Sequence, residues 1–135
     1  MNDPQREADR WFRQAENDLS FAKRGYEGGF YSHVCFLCQQ SGEKAVKAVH
    51  YKLGKRVVTG HSVHELAKKL VGEVSEAKHL IEAGSILDQY YIPTRYPNGL
   101  PEGAPFEMYT QKQAEQALGH AETILDFARR HIANT

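Results

Sequence analysis

The sequence predicts an all-α fold: an up-and-down four-helix bundle with one additional short helix and a long proline- and glycine-rich loop before the last helix. Three observations predict it. Apolar residues recur at three- and four-residue steps through every long segment. Capping signals stand in front of these segments. No segment alternates with the period of two that a strand requires, and no internal repeat appears. At 135 residues the chain is sized for a single domain, 1–135, with one hydrophobic core.

The elements follow in order. Asp3 and Pro4 open the first helix, an aspartate to cap it and a proline at its first position. Ala8, Trp11, Phe12, Ala15, Leu19, Ala22 and Tyr26 make its stripe, and Gly28-Gly29 ends it with room for a tight reversal. Residues 30–53 read as one long helix with two adjacent stripes. Phe30, Val34, Leu37, Cys38, Ser41, Ala45 and Ala48 form one; Tyr31, Cys35, Gly42, Val46, Val49 and Leu53 form the other. So wide a face must touch several neighbours, which makes this the central helix. At about 1.5 Å per residue it spans roughly 36 Å. Gly54 is placed to terminate it in the left-handed conformation, with Lys52, Lys55 and Arg56 around the negative end of the dipole. Ser62 and Glu65 match a capping box for a short third helix ending near Gly72. Ser75 is expected to cap a fourth helix carrying Ala77, Leu80, Ile81, Gly84, Leu87 and Tyr91, which Pro93 stops. Residues 93–107 hold four prolines and two glycines and are expected to lack regular structure. A connection of that length in a small domain is either functional or disordered. Thr110 and Gln113 form a second capping box, and the last helix shows Ala114, Ala117, Leu118, Ala121, Ile124, Leu125, Ala128 and Ile132.

These segments resemble the HEPN family, a nucleotide-binding domain of higher eukaryotes and prokaryotes. The resemblance is carried by WFRQAENDLSFAK in the first helix, YSHVCFLCQQSGEKAVKAVHYKLG in the second, HSVHEL, RYP in the long loop and AEQALGHAETIL in the last helix. QQSGEKAVKA after an aromatic-rich start is its most specific part. The resemblance implies a bundle of four main helices plus a short one, often dimeric. It implies, for prokaryotic members, work beside a minimal nucleotidyltransferase encoded as a separate chain, commonly as a toxin–antitoxin pair. Other members are metal-independent ribonucleases that use an arginine, four to six intervening residues and a histidine, contributed by both subunits of a dimer. Here the sequence departs from that pattern. Arg95 stands in the expected loop, but no histidine follows it before the last helix. Arg56 and His61 have the R-x4-H spacing in a different place, the loop before the third helix, and are the catalytic candidates.

The ligand-binding candidates are Arg95, Tyr96, Lys44 and Lys47. Arginine presents a planar fork that suits phosphate, and tyrosine a face on which a base stacks; Tyr90, Tyr91 and Tyr96 cluster in sequence and offer such faces. The competing structural reading has Arg95 paired with Asp88 or Glu102 and Tyr96 packed over the end of the bundle. Gln40, Glu43, Lys44 and Lys47 fall on one polar strip of the central helix, either a groove for a nucleotide or partner or a solvated surface with an i,i+4 ion pair. Lys52, Lys55 and Arg56, with Lys68 and Lys69, form a small basic cluster. His61 and His64 lack a third ligand, so no metal site is expected. Cys35 and Cys38 spell CxxC inside a helix with no strand before it, which reads as two buried apolar residues.

Acidic and basic residues balance, 17 against 17, at a sequence pI of about 7.1, which argues against a general nucleic-acid coat. There is no phosphate loop of the GxxxxGK type, so no cofactor is expected. No apolar run reaches membrane-spanning length, and MNDPQREADR lacks a signal-peptide core, so a cytoplasmic protein is expected. Three functions fit. One is a nucleotide- or RNA-binding partner of a minimal nucleotidyltransferase. The others are a ribonuclease using Arg56 or Arg95 with a displaced histidine, and a homodimeric interaction module without a ligand.

Overall fold

A computed structural model describes residues 3–133, all helix, turn and loop, with no strand among them. The single-domain expectation also covers Met1, Asn2, Asn134 and Thr135, which lie outside the described residues. Helix α1 (Pro4–Glu27) begins as its sequence predicts: the Asp3 carboxylate accepts from the Gln5 and Arg6 amides at 3.1 and 3.3 Å. Gly29, at φ +82°, turns the chain back into α2 (Tyr31–Lys52). Gly54, at φ +98°, ends the run after α2.

α2 is the hub, in contact with α1, α3 (Val63–Leu70), α4 (Ile81–Asp88) and α6 (Gln111–Ala133). Its two apolar stripes supply Val34, Cys35, Cys38, Ala45, Val46, Ala48 and Val49 to one continuous core. Ala114, Ala117, Ala121 and Ala128 of α6 are fully buried, so small side chains let α6 lie close against its neighbours. Burial pushes the Cys35 thiol up to about 12 and raises Cys38 further, as expected of apolar, unreactive cysteines.

Three expectations need correction. The fourth helix is not one α-helix from Ser75. Residues Ser75–Leu80 form a 3-10 segment and α4 starts only at Ile81. Ser75 makes no cap bond, because it is already the first residue of the tighter coil after Val74. The long loop is not devoid of regular structure. Pro97–Gly99 forms a 3-10 turn and Pro105–Met108 a single α turn, α5. Proline at the first position costs a helix nothing, and the Glu107 carboxylate accepts from the Ala104 amide at 3.1 Å. Finally, Tyr91 does not continue α4, which ends at Asp88; it stands in the turn that follows. No helix among the described residues is long and apolar enough to cross a membrane.

Candidate functional site

The start of α3 is held by a residue of another helix. Ser62 Oγ accepts from the Glu65 amide at 3.0 Å, the predicted half of the capping box. The expected return bond from the Glu65 carboxylate to the Ser62 amide is not formed; Asp88, the last residue of α4, binds this end instead. The Asp88 carboxylate accepts from Ser62 Oγ at 2.7 Å, from the Val63 amide at 2.8 Å and from the His64 amide at 3.1 Å. It also accepts from Gln39 Nε2 at 3.3 Å, and the same Gln39 nitrogen donates to the His61 carbonyl at 2.7 Å. A carboxylate on the first turn of α3 is favoured by the unpaired amides and the dipole there. This network fixes the loop that carries His61 against the end of α4.

Immediately beyond Asp88, the turn presents Tyr91. His61 stacks on its ring, with centroids 5.3 Å apart and planes 19° from parallel. The Arg95 guanidinium lies over the same Tyr91 ring at 4.9 Å, over Phe36 at 4.4 Å and over Tyr96 at 5.3 Å. Arg95 Nε donates to the Tyr91 carbonyl at 2.9 Å. Among the described residues, Arg95 forms no ion pair with a carboxylate, and Asp88 is engaged by α3. The guanidinium has five N–H donors and spends one on the protein, so an oriented, exposed fork remains. Behind His61 lies Glu43, with both carboxylate oxygens 3.3 Å from His61 Nδ1. The imidazole is mostly exposed and the carboxylate is buried.

The other predicted residues fall elsewhere. Lys47 is buried: its Nζ is 3.0 Å from Glu43 and 5.4 Å from the centre of the Trp11 ring. The i,i+4 pair expected at the surface is therefore an interior one, because α1 lays Trp11 across that part of α2. Lys44 pairs with Asp18 of α1 at 2.5 Å and lines an open groove with Arg10, Trp11, Arg13 and Gln14. Arg56 is exposed and, among the described residues, makes no ion pair or side-chain hydrogen bond. The structure thus sets His61 and Arg95 against one ring, that of Tyr91. His64 Nδ1 is 2.6 Å from Ser85 Oγ, and no cluster of three metal-ligating side chains occurs among the described residues. Sequence reasoning offered Tyr91, with Tyr90 and Tyr96, as a stacking surface; it did not single out Phe36, named Asp88 only as a structural partner of Arg95, and read Trp11 as core alone. The available signals were the run Tyr90-Tyr91 before Arg95 and the acidic residue at the end of α4.

A family model described as the HEPN domain matches residues 8–131. Among curated proteins, the chain is 30% identical over 124 residues to MJ1304 of Methanocaldococcus jannaschii, named as a candidate toxin; the match covers 86% of this chain and 82% of that protein. Among solved structures, TT1696 from Thermus thermophilus superposes with a TM-score of 0.88 at 39% identity, covering 93% of this chain and 98% of that one. ST0689, described as an archaeal HEPN homologue, gives 0.77 at 36% identity over the same shares. A HEPN domain protein of Thermotoga maritima gives 0.74 at 31%, covering 93% of this chain and 99% of the other.

Proposed function

The chain belongs to the HEPN domain family, and from that premise we propose that it is the nucleotide- or RNA-binding member of a toxin–antitoxin type module. The observation that carries this reading is the exposed Arg95 fork, held by the Tyr91 carbonyl and surrounded by Phe36, Tyr91 and Tyr96. Phosphate meets the fork, and a base stacks beside it on Tyr96, which is half exposed. Similarity to a candidate toxin supports the module. The partner implied is a minimal nucleotidyltransferase chain, as for prokaryotic members of the family. The chain acts as a homodimer, supported by an exposed apolar face that includes Phe21 and Phe30.

Calorimetric titration with ATP and with a short RNA tests the ligand. Arg95→Ala is expected to weaken binding about tenfold or more, the scale of one charge-assisted contact, while the melting temperature changes little. If the wild-type protein binds neither ligand, the chain is an interaction module alone.

Metal-independent RNA cleavage is a second reading, favoured by one contact. Glu43 accepting from His61 Nδ1–H leaves Nε2 as a free proton acceptor, and His61 shares the Tyr91 ring with the Arg95 that would meet the phosphate. Under this reading, metal-free cleavage of RNA is lost in His61→Ala and Arg95→Ala and retained in Arg56→Ala. Absence of cleavage by the wild type removes it.

A further inference from the structure

The groove beside Trp11 lies at the far end of a chain of contacts that starts at Arg95. Arg95 and His61 share the Tyr91 ring, and His61 meets Glu43. Glu43 pairs with Lys47, and Lys47 lies over Trp11. Trp11 also stacks on Tyr51, with centroids 5.5 Å apart and planes 24° from parallel. Lys47 and Tyr51 are one turn apart on α2, so both hold the ring from the α2 side. What remains of the ring opens onto the groove formed with Arg10, Arg13, Gln14 and Lys44. Arg10 and Lys44 are matched by Glu7 and Asp18. Arg13, exposed on the same groove, has no acidic partner among the described residues. A fixed aromatic face flanked by an unmatched guanidinium repeats, on α1, the chemistry found around Arg95. Neither guanidinium forms an ion pair among the described residues, although Arg13 also borders a hollow that holds Asp3 and Asp9.

We propose that the Trp11–Arg13 groove is a second nucleotide contact, and that the ligand is a single-stranded oligonucleotide bound across both sites, not a mononucleotide. One base stacks on Trp11, with its phosphate on Arg13; another stacks beside Tyr96, with its phosphate on Arg95. Lys47, paired with Glu43 on the same helix, lies over Trp11 of α1 and so ties the Trp11 platform to α2. Stacking is tolerant of base identity, so the site selects strand length and single-strandedness before sequence. This inference rests on the phosphate-binding reading of Arg95.

Trp11 is the sole tryptophan of the chain, so its fluorescence reports on this groove alone. Three probes are titrated: AMP, an RNA of about eight nucleotides, within the usual range for a single-strand site, and its DNA counterpart. Binding is followed by calorimetry and by tryptophan emission. The eight-nucleotide strands are expected to quench Trp11 and to bind about tenfold or more tighter than AMP, the gain from one added stacked base and phosphate. AMP, held at Arg95, leaves Trp11 emission unchanged. Arg13→Ala, an exposed change, should cut oligonucleotide affinity several-fold and lower its salt dependence by about one phosphate contact, while AMP binding is kept. Oligonucleotide binding that is lost in Arg95→Ala, yet neither quenches Trp11 nor responds to Arg13→Ala, overturns the second site and leaves the first standing. If no probe binds, both readings fall together.

Discussion

Glu43 and Lys47 show how much one residue's setting depends on what covers it. Each side chain is about one-twentieth exposed, and the two form a 3.0 Å ion pair. In water such an i,i+4 pair contributes a few tenths of a kcal/mol. In the interior, removing one partner strands the other charge, and Lys47→Ala or Glu43→Ala should each destabilise the protein by about 3–5 kcal/mol. The double change Glu43→Leu with Lys47→Met should recover most of that loss, which chemical denaturation of the three variants checks. His50 is a second buried group with a measurable signature. Its Nε2 is 2.9 Å from the Leu66 carbonyl and its Nδ1 2.9 Å from Lys55 Nζ. The arrangement suits a neutral ring, Nε2–H donating and Nδ1 accepting from the lysine. Burial, then the positive charges of Lys55 and Lys69, lower its pKa below 6.5, opposed by the Leu66 carbonyl and Glu73. The unfolded chain therefore takes up this proton first as pH falls. Stability from His50 is complete above pH 6.5 and declines as pH drops below that value toward the folded pKa. His50→Gln should show a shallower decline in unfolding free energy between pH 6.5 and about pH 5, above the range in which ordinary carboxylates titrate.

At the scale of elements, α3 and α4 act as one unit because Gly84 lets their backbones meet. A Cβ at position 84 would stand 2.8 Å from the His64 amide nitrogen and 3.0 Å from the Val63 carbonyl carbon. Backbone cannot swing aside as a side chain can. Gly84→Ala should force α3 away from α4, strain the Asp88 cap one turn later and cost about 1–3 kcal/mol. Gly119, on the exposed side of α6, is the matched control, since nothing lies within 4 Å of its Cβ position. Gly119→Ala should raise stability by up to about 1 kcal/mol through helix propensity alone. Equal effects from the two substitutions, measured by thermal melts, would show that the close approach of α3 and α4 carries no energy. Because His61 precedes the capped turn, Gly84→Ala should also weaken ligand binding at the Tyr91 site.

The whole molecule leaves an apolar face uncovered. Phe21 is 64% and Phe30 61% exposed, and with Val34, Phe36 and Leu37 they line a nearly all-apolar hollow between α1 and α2. Phe36 and His33 continue it to a second hollow that includes Arg95 and the exposed Phe106. Burial of such aromatic side chains stabilises association by a few kcal/mol each before the costs of association are met. The proposed homodimer should therefore persist at about 10 μM, a concentration at which contacts of that strength hold. Phe21→Asp combined with Phe30→Asp should shift the mass seen by light scattering to that of one chain while the helical circular dichroism spectrum is kept. A wild-type monomer at that concentration would refute it.

The all-α class, the long helices and several of their ends were legible in the sequence, because each depends on near neighbours in the chain. The 3.6-residue stripes place α1, α2 and α6; Asp3 and the Thr110–Gln113 box mark starts that the structure shows, with the Thr110 amide 2.9 Å from Gln113 Oε1. Arg95 and Tyr96 also stood out, as a cation and an aromatic in a proline-rich loop. Periodicity assigns a residue to a face of its own helix, but it does not say which neighbour covers that face. Only the packing of α1 over α2 turned Lys47 and Glu43 from a surface pair into an interior one. Only the fold of the turn after α4 set His61 and Arg95, 34 residues apart in sequence, against the one Tyr91 ring. Asp88 likewise caps α3 from 25 residues away, a bond that no local capping rule contains. Local hydrogen bonding and hydrophobic period set the helices; burial and long-range side-chain contacts, which exist only after the helices dock, set the site.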